Sequence, residues 1–488
     1  MKRFLTNLFR GFRTSTARST VLSSKRVLLQ TNPLEDRTVL SSAGLSGVND
    51  SVLTISASAG SVGHTRYITL EELNPTGNRQ IEVFDSVQGN IGDFFINPLT
   101  KININVSNLD QVDIDDSSGM PFATGSTISF SGSGGNSVQF GGSRAIAGNE
   151  YYYAGTAQNP ESEMQEDGLT FQFDKSITTI GDFIAITGSL NVTTFSPSVL
   201  LTSTSYSDVQ TLSNLGPGAN ILTYAQKPFV TVNEFGANAN VILDATTSTG
   251  GEHQFIAKLW GTGETAIVAT TPNSGMQTVV DAIGSQATEE LQRNSSLVFL
   301  EGNSSTTTFV GLPVGNGQES LRGIDADVSV VGAGLLLVEN NGNHTLAEDV
   351  TVTESSISGV GLFGNNAAEV TFNGVSTVSI LSGAAADTYN IEGTTPGQNI
   401  PQINIFDDSA VSFSATVDVN SMSRMNVQLF NESTNPHARA SLTIDAVGGH
   451  FSNPHPQPGN GSEDVTFSNG NSDAVAYFGF TSIKLEEV

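Results

Sequence analysis

Short runs of alternating apolar and polar residues recur along most of the chain, each ended by a cluster of Gly, Asn, Asp and Ser. Lys101-Ile102-Asn103-Ile104-Asn105-Val106, Thr127-Ile128-Ser129-Phe130, Leu169-Thr170-Phe171-Gln172-Phe173-Asp174 and Phe183-Ile184-Ala185-Ile186-Thr187 each put apolar side chains on one face and polar ones on the other. That period of two is the pattern of a half-buried strand, and helical period is almost absent. Turn clusters such as Asp115-Asp116-Ser117-Ser118-Gly119 and Ser131-Gly132-Ser133-Gly134-Gly135-Asn136 tolerate positive φ and bond nearby backbone. With no cysteine the chain has neither disulfides nor a thiolate site, so burial and hydrogen bonding must hold it together. Only 37% of its 488 residues are apolar and Trp260 is its single tryptophan. A thin strip of side chains repeated from strand to strand fits that composition better than a thick layered core.

These features predict an all-β fold, a parallel β-helix (β-solenoid) with an irregular N-terminal cap; tandem β-sandwich domains are the alternative. One coil cannot bury its apolar face alone, whereas stacked coils share a continuous core. In the C-terminal third, strand-like units start near Val350, Val370, Ile391 and Val411, a step of roughly twenty residues. Ala386-Asp387-Thr388-Tyr389-Asn390-Ile391-Glu392-Gly393-Thr394, followed by Pro401-Gln402-Ile403-Asn404-Ile405, resembles the coils of large bacterial surface β-solenoid proteins. Residues 134–142 and 474–483 resemble other coils of the same kind. The expected division is a basic export leader over 1–42, a cap or small β domain over 43–100, and solenoid over 101–270 and 326–488. Between the two solenoid parts, 271–325 is expected to hold an irregular insertion or seam, where Met276 to Arg293 read as one or two short helices. The final Ile483-Lys484-Leu485-Glu486-Glu487-Val488 reads as a charged closing edge.

The leader carries Lys2, Arg3, Arg10, Arg13, Arg18, Lys25 and Arg26 with no acidic residue before Glu35. Leu34-Glu35-Asp36-Arg37, followed by Val39-Leu40-Ser41, resembles the LExR-x-LLS-type N-terminal motif of exported surface proteins of planctomycete bacteria. That resemblance implies a secreted or cell-surface protein. No stretch of about 18 apolar residues offers a membrane span. Beyond Arg37 stand twelve basic and forty-six acidic residues. Such a body repels nucleic acid and anionic membrane, and attracts divalent cations or the cationic parts of an envelope.

The residues offer little apparatus for chemistry. His437, His450 and His455 fall close together in Pro-rich loops, without the HExxH or comparable ligand spacing. Among ions calcium suits the acid-rich turns best, with Asp113, Asp115, Asp116, Asp325 and Asp327 as its candidate ligands, though neither group completes an EF-hand loop. Glu71-Glu72 and Glu289-Glu290 are adjacent and point in opposite directions on a strand, so neither is the facing acid pair of a glycosidase. No GxSxG elbow or P-loop is present. Trp260 is able to stack on a sugar, and also reads as a core or edge anchor. The expectation is a non-catalytic structural or adhesive surface protein, without a cofactor, that binds extracellular polysaccharide or envelope proteins. A carbohydrate-active β-helix enzyme and a calcium-stabilised adhesin of β-sandwich domains are the alternatives.

Overall fold

The computed structural model describes residues 52–487 apart from short segments, chiefly 57–66, 74–79, 96–99, 204–208, 246–252, 272–275, 394–400 and 421–425. The basic leader 1–42 with its Leu34-Glu35-Asp36-Arg37 motif, and His455, lie outside the described residues.

Strands of the middle region alternate between two long sheets. In the first, Phe229–Glu234, Gln254–Leu259, Gln277–Ala282 and Val298–Glu301 lie side by side and parallel. In the second, Asn240–Asp244, Thr265–Thr270, Thr288–Leu291 and Thr307–Val310 do the same. Each coil thus gives one strand to each sheet, and the chain is a β-solenoid. Register sets the coil length: Phe229 is partnered by Gln254 and Gln254 by Gln277, so successive coils here take 25 and 23 residues. The first sheet contains 19 strands, a ladder of roughly 90 Å at about 4.8 Å per strand.

Alternation decides which side chains meet inside. In Gln254–Leu259, Phe255, Ala257 and Leu259 are buried while Gln254, Ile256 and Lys258 face outward. The buried residues form one continuous cluster from Leu53 to Phe480. A fully buried Val or Ile contributes about 1.5–3 kcal/mol, and because coils share the strip, each is stabilised by its neighbours. Outward polar side chains pair from coil to coil, as in Gln111 Nε2 to Gln139 Oε1 at 3.1 Å and Ser131 Oγ to Asn105 Oδ1 at 2.6 Å.

Among the described residues, antiparallel meanders interrupt the parallel ladders at three places, and another, over 449–480, ends the second sheet. Glu150–Tyr153, Ser162–Glu166 and Leu169–Phe173 form the first. Its last strand pairs with Thr127–Gly132 of the preceding coil and its first strand with Ser189–Thr194 of the next. Ser198–Ser203, Gln210–Ser213 and Ile221–Tyr224 repeat this in the second sheet. Asp349–Thr353, Ser356–Val360 and Val370–Asn373 repeat it in the first. The twenty-residue step expected at Val350 and Val370 is corrected here, since both lie in one meander and the parallel partner of Val350 is Tyr389. An antiparallel strand buries alternate residues just as a parallel one does, so the pattern carries no direction.

The helices expected between Met276 and Arg293 are strands. Thr278, Val280 and Ala282 are buried on one, Glu289 and Leu291 on the next, and both pair in parallel with neighbours on either side. Ladder pairing outweighs the local helix preference of Glu289-Glu290-Leu291-Gln292. Among the described residues of 271–325, the departures from the ladder are a lateral hairpin of Leu312–Gly315 and Gln318–Ser320 and a 3-10 turn at Leu321–Gly323. Within 43–100, Val52–Ser56 and Tyr67–Leu73 already pair in parallel with Lys101–Val106 and Gln111–Asp115. Two further strands, Gln80–Asp85 and Gly89–Phe95, extend the second sheet as antiparallel neighbours. At the other end Ser482–Glu487 pairs with Arg439–Val447, and its Lys484 makes an ion pair with Glu486.

Candidate functional site

Phe195, Phe235, Trp260 and Ile283 each stand one residue beyond a strand of the first sheet, at the same corner of four successive coils. Backbone bonds hold that corner in step, with Phe235 N–H donating to the Thr194 carbonyl and Trp260 N–H to the Glu234 carbonyl. All four side chains point to solvent, at 53%, 41%, 42% and 41% exposed. Ring centroids are 5.5 Å apart from Phe195 to Phe235 and 5.6 Å from Phe235 to Trp260, the latter pair being within 9° of parallel. The Trp260 indole N–H donates to Asn233 Oδ1 at 3.3 Å, which fixes the ring's orientation. The result is an apolar row of exposed side chains running along the solenoid.

Glycine and buried acid build the corner beneath. Gly236, Gly261 and Gly284 follow the row residues and stack closely: a Cβ on Gly261 would meet the Gly236 carbonyl oxygen at 2.7 Å. The Gly236 N–H donates to Glu234 Oε1 and the Gly261 N–H to Glu264 Oε2, each at 2.7 Å. Burial pushes the Glu234 carboxyl up to about 8 and that of Glu264 to about 7; the glycine amides pull both the other way, and the charge of Glu264 raises Glu234 further.

Near the head of the row the surface opens into a depression of 360 Å³ lined by Tyr153, Thr156, Asn159, Glu161, Glu163 and Gln172 among others. Tyr153 is partnered by Thr193 in the coil that leads to Phe195, so depression and row lie on the same side of the sheet end. Glu161 and Glu163 both line it, and Glu163 Oε1 accepts from Gln165 Nε2 at 2.6 Å. A row of rings beside a polar hollow sets apolar faces next to hydrogen-bonding groups.

The residues singled out from sequence are dispersed. Asp113 and Asp115 face outward on the strand Gln111–Asp115, while Asp116 points into the core. Asp113 is held by Gln111 Nε2 at 2.6 Å; burial raises its carboxyl, which Asp115 raises further. Asp325 and Asp327 are exposed, and Asp327 Oδ1 accepts the Glu369 N–H at 3.2 Å. Among the described residues no three His, Asp or Glu come together as metal ligands. His437 is exposed, and His450, exposed as well, lies 3.6 Å from Glu487. Glu72 and Glu289 are buried while Glu71 and Glu290 face outward, so each adjacent pair is split across its strand.

Of the candidates only Trp260 falls in the row, and sequence reading missed its companions. The signal was a hydrophobic residue before glycine, in Phe235-Gly236, Trp260-Gly261 and Ile283-Gly284, recurring at coil spacing. Compared with protein-family models, curated proteins and solved structures, the chain matches none of them.

Proposed function

We propose that this is a non-catalytic, secreted or cell-surface β-solenoid whose aromatic row holds a neutral extracellular polysaccharide. The observation that carries the reading is the exposed row Phe195, Phe235 and Trp260 on successive coils, with the indole oriented by Asn233. Stacked coils space such rings regularly along one line, as a chain of linked sugars needs. The ligand is uncharged because forty-six acids against twelve bases beyond Arg37 repel an anionic polymer. Export rests on the basic leader and its resemblance to planctomycete surface proteins.

Affinity electrophoresis through gels containing neutral polysaccharides tests the reading. The protein is expected to be retarded by at least one of them, and Trp260→Ala with Phe235→Ala to lose that retardation without a change in melting temperature. Retardation that survives both substitutions excludes the row.

A second reading, a carbohydrate-active enzyme, is favoured by one observation, that Glu161 and Glu163 line the depression together. Hydrolysis needs two carboxyls facing one sugar. Release of reducing ends that Glu163→Gln abolishes would establish it in place of the first.

A further inference from the structure

The side chains of Glu150, Asp182 and Lys227 come from three neighbouring coils and meet inside the solenoid, all of them fully buried. Lys227 Nζ lies 2.6 Å from Asp182 Oδ2, 2.7 Å from Glu150 Oε2 and 2.8 Å from the Ile184 carbonyl oxygen. The amine is hydrogen-bonded to Glu150 Oε2 and to the Ile184 carbonyl, and of its three oxygen neighbours it stands closest to Asp182 Oδ2. Asp182 Oδ1 accepts the Ile184 N–H at 3.3 Å. We propose that Lys227 and Asp182 condense into an amide cross-link between adjacent coils, with Glu150 as the proton carrier.

The setting supplies what condensation requires. An ammonium cannot attack a carboxyl carbon, so a neighbouring base must first take its proton. Burial raises the Glu150 carboxyl well above its ordinary range, and the neighbouring Asp182 raises it further against the pull of Lys227. Burial also pushes Glu166, which feels both Asp182 and Lys227, up to about 8. Asp116 and Asp167 add their charge to Glu166. A raised carboxyl binds a proton more tightly, so Glu150 is fitted to take the one that the amine must lose, in a site whose side chains have no solvent exposure. The same acids strengthen the ammonium's grip on its proton, so attack waits until a proton passes to Glu150, and the reaction is a slow, single maturation.

In the step itself, Nζ passes a proton to Glu150 Oε2 and adds to Cγ of Asp182. Charge that develops on Oδ1 is met by the Ile184 N–H, as in an oxyanion site. Glu150 returns that proton to Oδ2 and then relays a second one from the attached nitrogen to the same oxygen, which departs as water with both, and a C–N bond replaces the C–O bond. One ammonium and one carboxylate give one amide and one water, without a change of oxidation state. In a chain without cysteine, such a bond does the work of a disulfide, closing the chain from 182 to 227 in the unfolded state.

Mass spectrometry on the full chain, purified and held at neutral pH, reads the bond directly. Because Pro228 follows Lys227, trypsin releases residues 176–258 as one peptide holding both partners. That peptide is expected to be lighter by one water, with no fragment ions from cleavages between Asp182 and Lys227. Folded Glu150→Gln and Lys227→Arg, checked by circular dichroism, are expected to give the full unlinked mass. Folded wild-type protein that yields only the linear peptide overturns the proposal. So does a cross-link from Lys227 to the tryptic peptide that contains Glu150, or unimpaired linkage in Glu150→Gln.

Discussion

Gly284 sits so close to Gly261 that a Cβ on Gly284 would come within 1.6 Å of the Gly261 carbonyl oxygen. Backbone lies against backbone there, and no flexible side chain is available to yield. The corner that carries the aromatic row is therefore built on missing side chains as much as on present ones.

Gly284→Ala is expected to destabilise the protein by about 1–3 kcal/mol, the usual cost of overpacking. Gly141→Ala, where a Cβ meets nothing within 4 Å, is expected to be near neutral. Thermal melts of the two variants side by side check this, and equal melting temperatures would contradict the stacked corner.

Stability is expected to fall as pH rises from about 4.5 to about 8. Burial raises Glu289 to about 8, with Asp281 and Glu301 adding to the shift and the Thr308 hydroxyl opposing it; Glu234 also reaches about 8, and Asp387 about 6. In the unfolded chain these acids lose their protons near the ordinary value of 4.5 for Glu or 3.8 for Asp. Between the two values the folded state binds more protons, so each unit of pH favours unfolding. A melting temperature several degrees higher at pH 5 than at pH 8 is the expected outcome, with a shallower slope in Glu289→Gln. A melting temperature that rises across this window would contradict the burial of these acids.

Chelation is expected to leave the melting temperature unchanged. Asp116 points into the core while Asp113 and Asp115 face outward, so the turn does not present its acids to one ion. A fall of several degrees with a chelator, reversed by added calcium, would contradict that arrangement.

Much of the fold is legible in the sequence because the two-residue period is enforced at every strand by the shared core. Phe171 and Phe173 are buried while Thr170 and Gln172 face out, as their spacing requires. The period does not reveal strand direction, which is why the meanders were missed. A local cue existed in Asp167-Gly168, both at positive φ (47° and 75°) between two antiparallel strands, the turn chemistry of a tight hairpin. The aromatic row was hidden for another reason. Phe195, Phe235 and Trp260 are far apart in sequence, and only register brings them together.

The central claim, a non-catalytic solenoid that grips a neutral glycan through its aromatic row, is tested most directly by one assay. Purified protein is incubated with neutral and acidic polysaccharides while bound protein and released chain ends are measured together. The account predicts binding to a neutral polymer that disappears in Trp260→Ala with Phe235→Ala, and no new chain ends with any substrate. New ends from any polymer, or binding that survives the loss of both rings, would contradict it.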